Sequence, residues 1–296
     1  MKELVVISGK GGTGKTSLMA ALAVLAENKV LCDADVDAAD LHLLMDPQVQ
    51  ERHDFQGGGE AVIDPEQCSA CGLCRELCRF DAITEDFSVD PISCEGCGVC
   101  VDMCPEQAIA FPTKTCGEWY KSETRFGPMV HARLGIAEEN SGKLVTLIRQ
   151  EARQLAEDRN LDLIITDGPP GVGCPVIASI GGAAAVLIVA EPSVSGLHDM
   201  ARVAQLADHF KVPVMVCVNK FDLNLEKTAE IETLAREHDL AFLGTVPFDP
   251  GFTAAMVEGK TLFEYQKDSA AAKALTHLWE KLAAQVGIGN IAATVA

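Results

Sequence analysis

Residues 9–16 are Gly9-Lys10-Gly11-Gly12-Thr13-Gly14-Lys15-Thr16, and they stand between an apolar run, Leu4-Val5-Val6-Ile7, and a helical pattern over residues 17–26. A strand, a glycine-rich turn and a helix in that order predict a phosphate-binding loop. Glycine allows the tight backbone in which several N–H groups face one anion, and the helix N-terminus adds partial positive charge. In such a loop Lys15 reaches the β- and γ-phosphates of a nucleoside triphosphate, and the Thr16 hydroxyl ligates Mg²⁺.

The composition indicates a globular protein with a large core. The chain has 296 residues, of which 48% are hydrophobic, and this length suggests one large domain or two. Its net charge of −19 disfavours nucleic acid as a partner, because an acidic surface repels phosphate backbones. The N-terminus enters a strand at once, no apolar run approaches about 18 residues, and residues 287–296 contain no cation. We therefore expect a cytoplasmic protein without a membrane span or a basic membrane-binding helix.

Eight of the twelve cysteines form two runs with the same spacing. The runs are Cys68-x2-Cys71-x2-Cys74-x3-Cys78 and Cys94-x2-Cys97-x2-Cys100-x3-Cys104-Pro105. This spacing is typical of bacterial ferredoxins with two clusters, in which the fourth cysteine of each run ligates the other cluster. The pattern predicts one 4Fe–4S cluster on Cys68, Cys71, Cys74 and Cys104, and a second on Cys94, Cys97, Cys100 and Cys78. Zinc is the alternative, but zinc sites use ligand pairs, often with histidine and longer separations.

The two cysteine runs belong to a longer internal repeat. Phe80-Asp81-Ala82-Ile83 in the first half corresponds to Glu106-Gln107-Ala108-Ile109 in the second, and Gly72 and Gly98 occupy equivalent positions in the loops. Cys116 lies outside both runs. We interpret Cys116 as a buried thiol, with a partner contact or an extra metal ligand as the alternatives.

Acidic residues end two of the predicted strands. Lys29–Cys32 leads into Asp33-Ala34-Asp35, and the buried strand Leu161–Asp167 leads into Gly168-Pro169-Pro170-Gly171. Carboxylates at the carboxyl ends of parallel strands face the ligand crevice of an open α/β sheet. Because strands and helices alternate along the chain, we expect an α/β fold, a mostly parallel sheet flanked by helices, with a small inserted α+β ferredoxin-like domain.

The motif Lys-Gly-Gly-x-Gly-Lys-Thr at residues 10–16, the Asp33-x-Asp35 pair and the segment 167–171 together resemble the MinD/ParA family of dimeric ATPases. That family includes the nitrogenase iron protein and the ATPases of cluster assembly. The resemblance implies ATP hydrolysis in a dimer, with Lys10 crossing the interface to the phosphates held by the other subunit. It also implies that Asp35 orients the attacking water.

The same resemblance assigns the remaining ligands of ATP and Mg²⁺. The catalytic set is Lys10, Lys15 and Asp35. The nucleotide-binding set is Gly11, Gly12, Thr13, Gly14, Lys15, Thr16, Ser17, Asn219 and Pro247, and the Mg²⁺ set is Thr16, Asp33 and Asp167. The segment Asn219-Lys220-Phe221-Asp222, taken alone, is typical of guanine-selecting GTPases. The resemblance to MinD instead favours adenine, with Asn219 at the edge of the base.

Three further residues are assigned from helix capping or from the resemblance. Ser195 is predicted to cap the helix that follows it. The resemblance implies that Asp199 meets Lys10 in one nucleotide state. Cys174 lies near the position at which the nitrogenase iron protein carries a cluster ligand, but we interpret it as a buried thiol.

The inserted module divides the ATPase domain of the chain. We expect residues 1–60 to form the first part of the ATPase domain, 61–112 the ferredoxin-like domain, and 113–296 the second part. Residues 46–60 are interpreted as a loop that ends in the three glycines 57–59 and leads into the insertion.

The combined motifs predict an ATPase that carries two 4Fe–4S clusters. In the favoured hypothesis an ATP-dependent dimer, either a homodimer or a heterodimer with a similar ATPase, gates electron transfer to a partner. The alternative is an iron–sulfur cluster carrier or assembly ATPase, or a switch that positions a partner. The sequence does not indicate the identity of the client protein.

Overall fold

The computed structural model describes residues 1–135 and 141–288, which fall into two compact units. The first unit is formed by Met1–Arg52, Trp119–Arg133 and the described residues from Ser141 onward, and the second by His53–Glu118 with the described residues from Leu134. Most of residues 287–296, the segment without a cation, lie outside the described residues.

Nine strands of the structure form one sheet, and two short strands form another. In chain order they are β1 (Lys2–Ile7), β2 (Lys29–Asp33), β3 (Gln48–Gly59), β4 (Val62–Ile63), β5 (Ile109–Ala110), β6 (Thr113–Thr124), β7 (Gly127–Leu134), β8 (Leu163–Asp167), β9 (Ala185–Ala190), β10 (Val214–Asn219) and β11 (Ala241–Val246). The large sheet has the order β11-β10-β9-β1-β8-β2-β7-β6-β3, and its pairs from β11 to β7 are parallel. This mostly parallel sheet confirms the predicted α/β fold class.

Helices cover both faces of this sheet. They are α1 (Lys15–Leu25), α2 (Leu41–Met45), α3 (Leu73–Leu77), α4 (Val99–Asp102), α5 (Ser141–Asp158), α6 (Cys174–Ile180), α7 (Val194–His209), α8 (Leu225–Glu237), α9 (Gly251–Val257), α10 (Leu262–Gln266) and α11 (Ala270–Val286), with a 3₁₀ turn at Phe221–Leu223. Leu4 and Val6 belong to the core under α1 and α11, whereas Val5 and Ile7 belong to the core under α6 and α7. The run at residues 4–7 is continuously apolar because each face of β1 meets a helical layer. In the part of the chain that the structure describes, no helix combines the length and apolarity that a membrane crossing needs.

The prediction of a loop at residues 46–60 is wrong, because β3 occupies Gln48–Gly59. β3 is the last strand in the order of the sheet, and most of its side chains are exposed. An edge strand exposed on both faces needs no alternation of apolar and polar residues, so the period that identifies a strand is missing from this sequence. The glycines 57–59 belong to the strand, and a Cβ on Gly59 would lie 2.5 Å from the Phe111 ring.

The second unit repeats the same turn-and-helix pattern 26 residues apart. The N–H groups of Cys68 and Cys94 donate to the carbonyls of Asp64 and Asp90, both at 3.0 Å. Gly72 and Gly98 begin α3 and α4 with φ of 83° and 75°, a left-handed conformation that glycine adopts without strain. β4 and β5 pair antiparallel. The sequence repeat is therefore a structural repeat.

Candidate functional site

The glycine-rich turn between β1 and α1 is shaped by its contact with the end of β10. Gly12 and Gly14 have positive φ angles of 81° and 86°, and Lys15 is the first residue of α1. A Cβ on Gly14 would stand 2.4 Å from the amide nitrogen of Asn219, so this position requires glycine. The side-chain amide of Asn219 donates to the Thr13 carbonyl at 2.7 Å, and Lys220 Nζ donates to the Gly12 carbonyl at 2.8 Å.

Two strand-end carboxylates converge on the buried ammonium group of Lys15. Lys15 Nζ lies 2.6 Å from Asp167 Oδ1 and 3.3 Å from Asp35 Oδ2. Burial lowers the pKa of Lys15, but the charges of Asp167 and Asp35 outweigh it, so the pKa lies above its ordinary value. Burial also raises the pKa of Asp35, although Lys15 opposes that shift. The structure therefore brings together three residues that the sequence assigned to one site.

Asp33 lies beside this group at the end of β2. Its two carboxylate oxygens accept the N–H groups of Asp35 at 3.2 Å and Leu41 at 3.3 Å. Burial and the nearby charge of Asp167 raise the pKa of Asp33 well above its ordinary value. Three carboxyl groups thus lie around one ammonium group, and a cation added beside them would favour their ionised forms.

The atoms left without partners fit Mg²⁺ and a nucleotide. Among the described residues, buried polar atoms without a hydrogen bond include Thr13 Oγ1, Asp167 Oδ2 and Asn219 Oδ1. Within that part of the chain, no group of three or more His, Cys, Asp or Glu side chains could hold a metal ion by itself. Mg²⁺ commonly takes one or two carboxylates and completes its shell with water and substrate phosphates, so the free oxygen of Asp167 suits it.

Lys10 contacts the beginning of α7. Its ammonium group lies 2.9 Å from Ser195 Oγ, 3.5 Å from Ser193 Oγ and 4.0 Å from Glu191. Asp199 instead packs against Gly9, where an added Cβ would lie 2.1 Å from the Asp199 Cβ.

The prediction that Ser195 caps α7 is wrong by two residues. Ser193 has an extended backbone and its hydroxyl accepts the Gly196 N–H at 3.0 Å, so Ser193 caps α7. Ser195 lies inside the helix, where its hydroxyl meets Lys10. An N-cap residue needs a non-helical backbone as well as a side-chain oxygen, and the sequence pattern showed only the oxygen.

The segment after β10 connects the phosphate loop to the loop after β11. Asp222 Oδ1 accepts the Phe248 N–H at 2.7 Å, next to Pro247. Lys220 has a left-handed backbone, with φ of 58°, between the bond to Gly12 and the 3₁₀ turn. Sequence reasoning did not assign these contacts, although the motif Asn-Lys-x-Asp at residues 219–222 was the signal for them.

The four cysteines assigned to the second cluster line one cavity. Its walls include Cys78, Cys94, Cys97 and Cys100 together with Phe80, Ile83 and Phe111. A 4Fe–4S cubane takes one thiolate on each of its four irons, so a single cavity lined by four cysteines fits such a cluster.

Backbone N–H groups also face the cysteine sulfurs. Ala82 donates to Cys78 Sγ and Ala108 to Cys104 Sγ, both at 3.4 Å. Burial raises the pKa of the Cys74 thiol above its ordinary value. The hydrogen bond from the Arg75 backbone N–H opposes this rise, and the charges of the neighbouring cysteines add to it. Hydrogen bonds to the sulfurs are among the features that stabilise and tune iron–sulfur clusters.

The two remaining cysteines of interest differ in exposure. Cys116 is buried, as interpreted from the sequence. Cys174 is exposed at the start of α6, so its interpretation as a buried thiol is wrong. Cys174 is the first residue of α6 and directly follows the exposed N-cap residue Gly173, so the helix start holds it outside the apolar core.

A buried ion-pair network under the sheet was missed in the sequence. Arg149 donates to both carboxylate oxygens of Glu3, at 2.7 and 2.8 Å, and Arg153 and Thr166 bind the same carboxylate at 2.8 and 3.0 Å. The signal was Glu3 directly before the apolar run of residues 4–7 in β1, because a buried carboxylate requires a partner. The network links β1 to α5 and to Thr166 of β8, the residue that precedes Asp167.

Comparison with known proteins gives a family match and relatives that cover nearly the whole chain. Residues 4–262 match the family model described as the CobQ/CobB/MinD/ParA nucleotide binding domain. The uncharacterized protein MJ0578 of Methanocaldococcus jannaschii is 31% identical over 95% of this chain and 96% of its own length. The cytosolic Fe-S cluster assembly factor NUBP2 of Rattus norvegicus is 23% identical over 96% of this chain and 92% of its own length. The septum site-determining protein MinD of Pyrococcus horikoshii, solved with Mg-ADP, has a TM-score of 0.60 at 17% identity, covering 97% of each chain.

Proposed function

The chain belongs to the CobQ/CobB/MinD/ParA family of nucleotide-binding proteins, and we propose that it is an ATPase whose nucleotide-dependent dimer gates electron transfer from two 4Fe–4S clusters to a partner protein. The observation that carries the ATPase part is the contact of Lys15 with Asp167 and Asp35 beneath the glycine-rich turn. The electron-transfer part is supported by the cysteine spacing and by the cavity that the second quartet lines.

The carboxylates around Lys15 supply the residues for hydrolysis. A triphosphate in the turn would attract the Lys15 ammonium away from Asp35, because phosphate oxygens carry more charge than one carboxylate. Asp35 would then be free to hold and orient the attacking water. Asp167 and the Thr16 hydroxyl would hold Mg²⁺, which neutralises charge on the phosphates, and Asp33 would support them through its bonds to the backbone.

Lys10 is proposed to act on the nucleotide of the other subunit. In the monomer its ammonium group contacts the hydroxyls of Ser195 and Ser193 and lies 4.0 Å from the partly exposed Glu191 carboxylate, so these contacts hold it only weakly. A cation supplied across an interface stabilises charge that develops in phosphoryl transfer. ATP would therefore promote the dimer, and the dimer would promote hydrolysis.

The second unit is proposed to hold the two clusters, which supply one-electron transfer when bound. Cys68, Cys71, Cys74 and Cys104 would hold one cluster, and Cys94, Cys97, Cys100 and Cys78 the other. The backbone donors at Ala82 and Ala108 would stabilise the thiolate charge of Cys78 and Cys104.

Cluster assembly is the second candidate function. It is favoured by the similarity to cytosolic Fe–S cluster assembly factors and by the exposed thiol of Cys174. A carrier holds its cargo at exposed, exchangeable cysteines, whereas the two complete quartets suit permanently bound clusters. The two functions therefore differ in whether iron leaves the protein.

Anaerobic preparation followed by iron analysis and spectroscopy tests both functions. We expect about eight irons per chain, and we expect ATP to change the reduction potentials or the rate at which reduced protein loses electrons to a viologen dye. Clusters that ignore ATP and ADP would refute gating. Transfer of iron and sulfide to an apo-ferredoxin, lost in Cys174→Ser, would instead support assembly.

A further inference from the structure

The two halves of the second unit share their backbone but differ in the side chains that they expose. Residues 26 apart correspond, as Cys68 does to Cys94, and the hydrogen bonds from the N–H groups of Cys68 and Cys94 have the same length of 3.0 Å. At three corresponding pairs, one half carries an apolar residue and the other a glutamate. The pairs are Phe80 with Glu106, Ile92 with Glu66, and Phe111 with Glu85.

All three apolar residues belong to the side of the second quartet, and all three are exposed. Phe80 and Phe111 line the cavity that contains Cys94, Cys97 and Cys100, and Ile92 precedes Cys94 by two residues. Their exposed fractions are 45% for Phe80, 76% for Ile92 and 39% for Phe111. Single exposed apolar residues are common, but a group at one place is typical of an interaction surface.

The charge of the unit indicates which kind of partner fits this face. Residues 53–118 contain thirteen Asp or Glu and three Lys or Arg, and Glu95 lines the same cavity as Phe80. A second copy of the chain would bring the same negative charge to the contact and would be repelled. A protein with an apolar patch surrounded by lysine and arginine would instead be attracted and then held by apolar contact.

We propose that Phe80, Ile92 and Phe111 form the docking face for a basic redox partner, beside the second cluster site. The equivalent face beside the first quartet, with Glu66, Glu85 and Glu106, stays in water. This inference rests on the proposed function, and it adds to it the partner's chemistry and the side of the unit on which the partner binds. Redox partners commonly meet over small interfaces, so a few apolar side chains decide the affinity.

The repeat itself supplies variants that preserve the fold. Ile92→Glu and Phe80→Glu each introduce the residue that the other half already carries at the matching position. Glu66→Ile and Glu106→Phe are the mirror controls. Phe111 is left unchanged, because its ring contacts Gly59 closely. Iron content and visible absorption establish that each variant of the cluster-loaded chain is intact.

The probe is ferrocytochrome c, a basic protein with an apolar haem edge, whose binding is measured by isothermal titration calorimetry. It is already reduced and no nucleotide is added, so the affinity does not depend on electron transfer or on ATP. We expect Ile92→Glu and Phe80→Glu to weaken binding about tenfold, the equivalent of ~1.4 kcal/mol. The mirror controls should change it less than about twofold, as expected for exposed charges.

The sign of the effect separates apolar docking from charge attraction alone. If charge alone attracted the probe, Ile92→Glu and Phe80→Glu would tighten binding, and Glu66→Ile would weaken it as much as they tighten it. Unchanged or tighter binding by both Ile92→Glu and Phe80→Glu would overturn the proposal. A wild-type dimer that Ile92→Glu dissociates in sedimentation would also overturn it, by assigning the face to a second copy. Clusters that ignore ATP would refute gating and leave this result standing.

Discussion

The nucleotide site and the cysteine unit differ in how they satisfy their charged groups without a ligand. In the first unit, Lys15 is neutralised by Asp167 and Asp35, and helices pack apolar cores on both faces of the sheet. In the second unit, α3 and α4 bury no residue, and the two helices have five and four residues. So small a module lacks the core that stabilises a domain by itself. We therefore expect the first unit to fold without a ligand, and the second to depend on the two proposed clusters.

Removal of iron should give the clearest test of this difference in stability between the two units. We expect a chelator applied to the reduced protein to abolish hydrogen-exchange protection in α3, α4 and the β4–β5 pair, because bound clusters are the main cross-links of that unit. Protection of β1 and α11 should persist, since their core contains no ligand. Trp279 is buried in the core of the first unit, so its fluorescence after chelation reports that unit, whereas Trp119 directly follows Glu118 of the second unit.

Two cysteine substitutions, one in each unit, test the same dependence on iron without a chelator. Cys100→Ser should reduce iron content and loosen the second unit, whereas Cys217→Ser, a buried thiol of the first unit, should leave the iron unchanged. Equal protection of the second unit with and without iron would contradict the dependence on metal.

Loss of the trans cation should be the largest effect on the first unit. Lys10→Ala is expected to lower ATP hydrolysis by about 10³-fold, the lower range for a cation supplied across an interface. Asp35→Ala should also fail to hydrolyse ATP while still binding it. Steady-state phosphate release measures both.

Mixing the two inactive proteins distinguishes action in trans from action in cis. A mixed dimer contains one site with an intact Asp35 and a Lys10 from the other subunit, so the mixture should recover part of the activity. Lys10→Arg serves as the charge-preserving control. A mixture as inactive as its components would show that Lys10 acts within its own subunit.

Acid should weaken the first unit through a buried histidine. Burial, and then the charge of His42, lowers the pKa of His131 to about 4, and its ring accepts or donates a bond to Ser122 at 2.9 Å. The unfolded chain then binds the extra proton first, so stability is complete above about pH 6.5 and falls towards pH 4, by about 3 kcal/mol. Denaturant titrations followed by tryptophan fluorescence measure this slope. His131→Gln should flatten it, and an unchanged slope would contradict the assignment.

The elements that could be predicted are those in which burial or ligand binding determines the pattern of apolar and acidic residues. The apolar run at residues 4–7 and the acids at 33 and 167 follow from a strand buried on both faces with a ligand at its end. β3 was missed because an exposed edge strand has no such requirement. Ser193 and Ser195 carry the same hydroxyl, and only the backbone distinguishes the cap from the contact of Lys10.

Long-range contacts set the remaining limit on prediction. The motif at Asn219, Lys220 and Asp222 is visible in the sequence, but it does not indicate which groups these side chains bind. The structure directs Asn219 and Lys220 to the carbonyls of Thr13 and Gly12, about two hundred residues away in the chain. Such contacts depend on strand order, which a local pattern does not encode.

The smallest expected effect concerns Asp222 and tests whether the nucleotide unit selects adenine. A guanine-reading aspartate uses both carboxylate oxygens for the base, but Asp222 Oδ1 already accepts the Phe248 N–H. We expect Asp222→Ala to weaken ATP binding about fivefold, or ~1 kcal/mol, because the loop at Pro247 loses its anchor. Asp222→Asn keeps an acceptor oxygen and should bind ATP normally. Fluorescent analogues of ATP, GTP and XTP measure the affinities. If Asp222 read guanine, the wild type would prefer GTP and Asp222→Asn would prefer XTP, because an amide can donate to the extra carbonyl of xanthine.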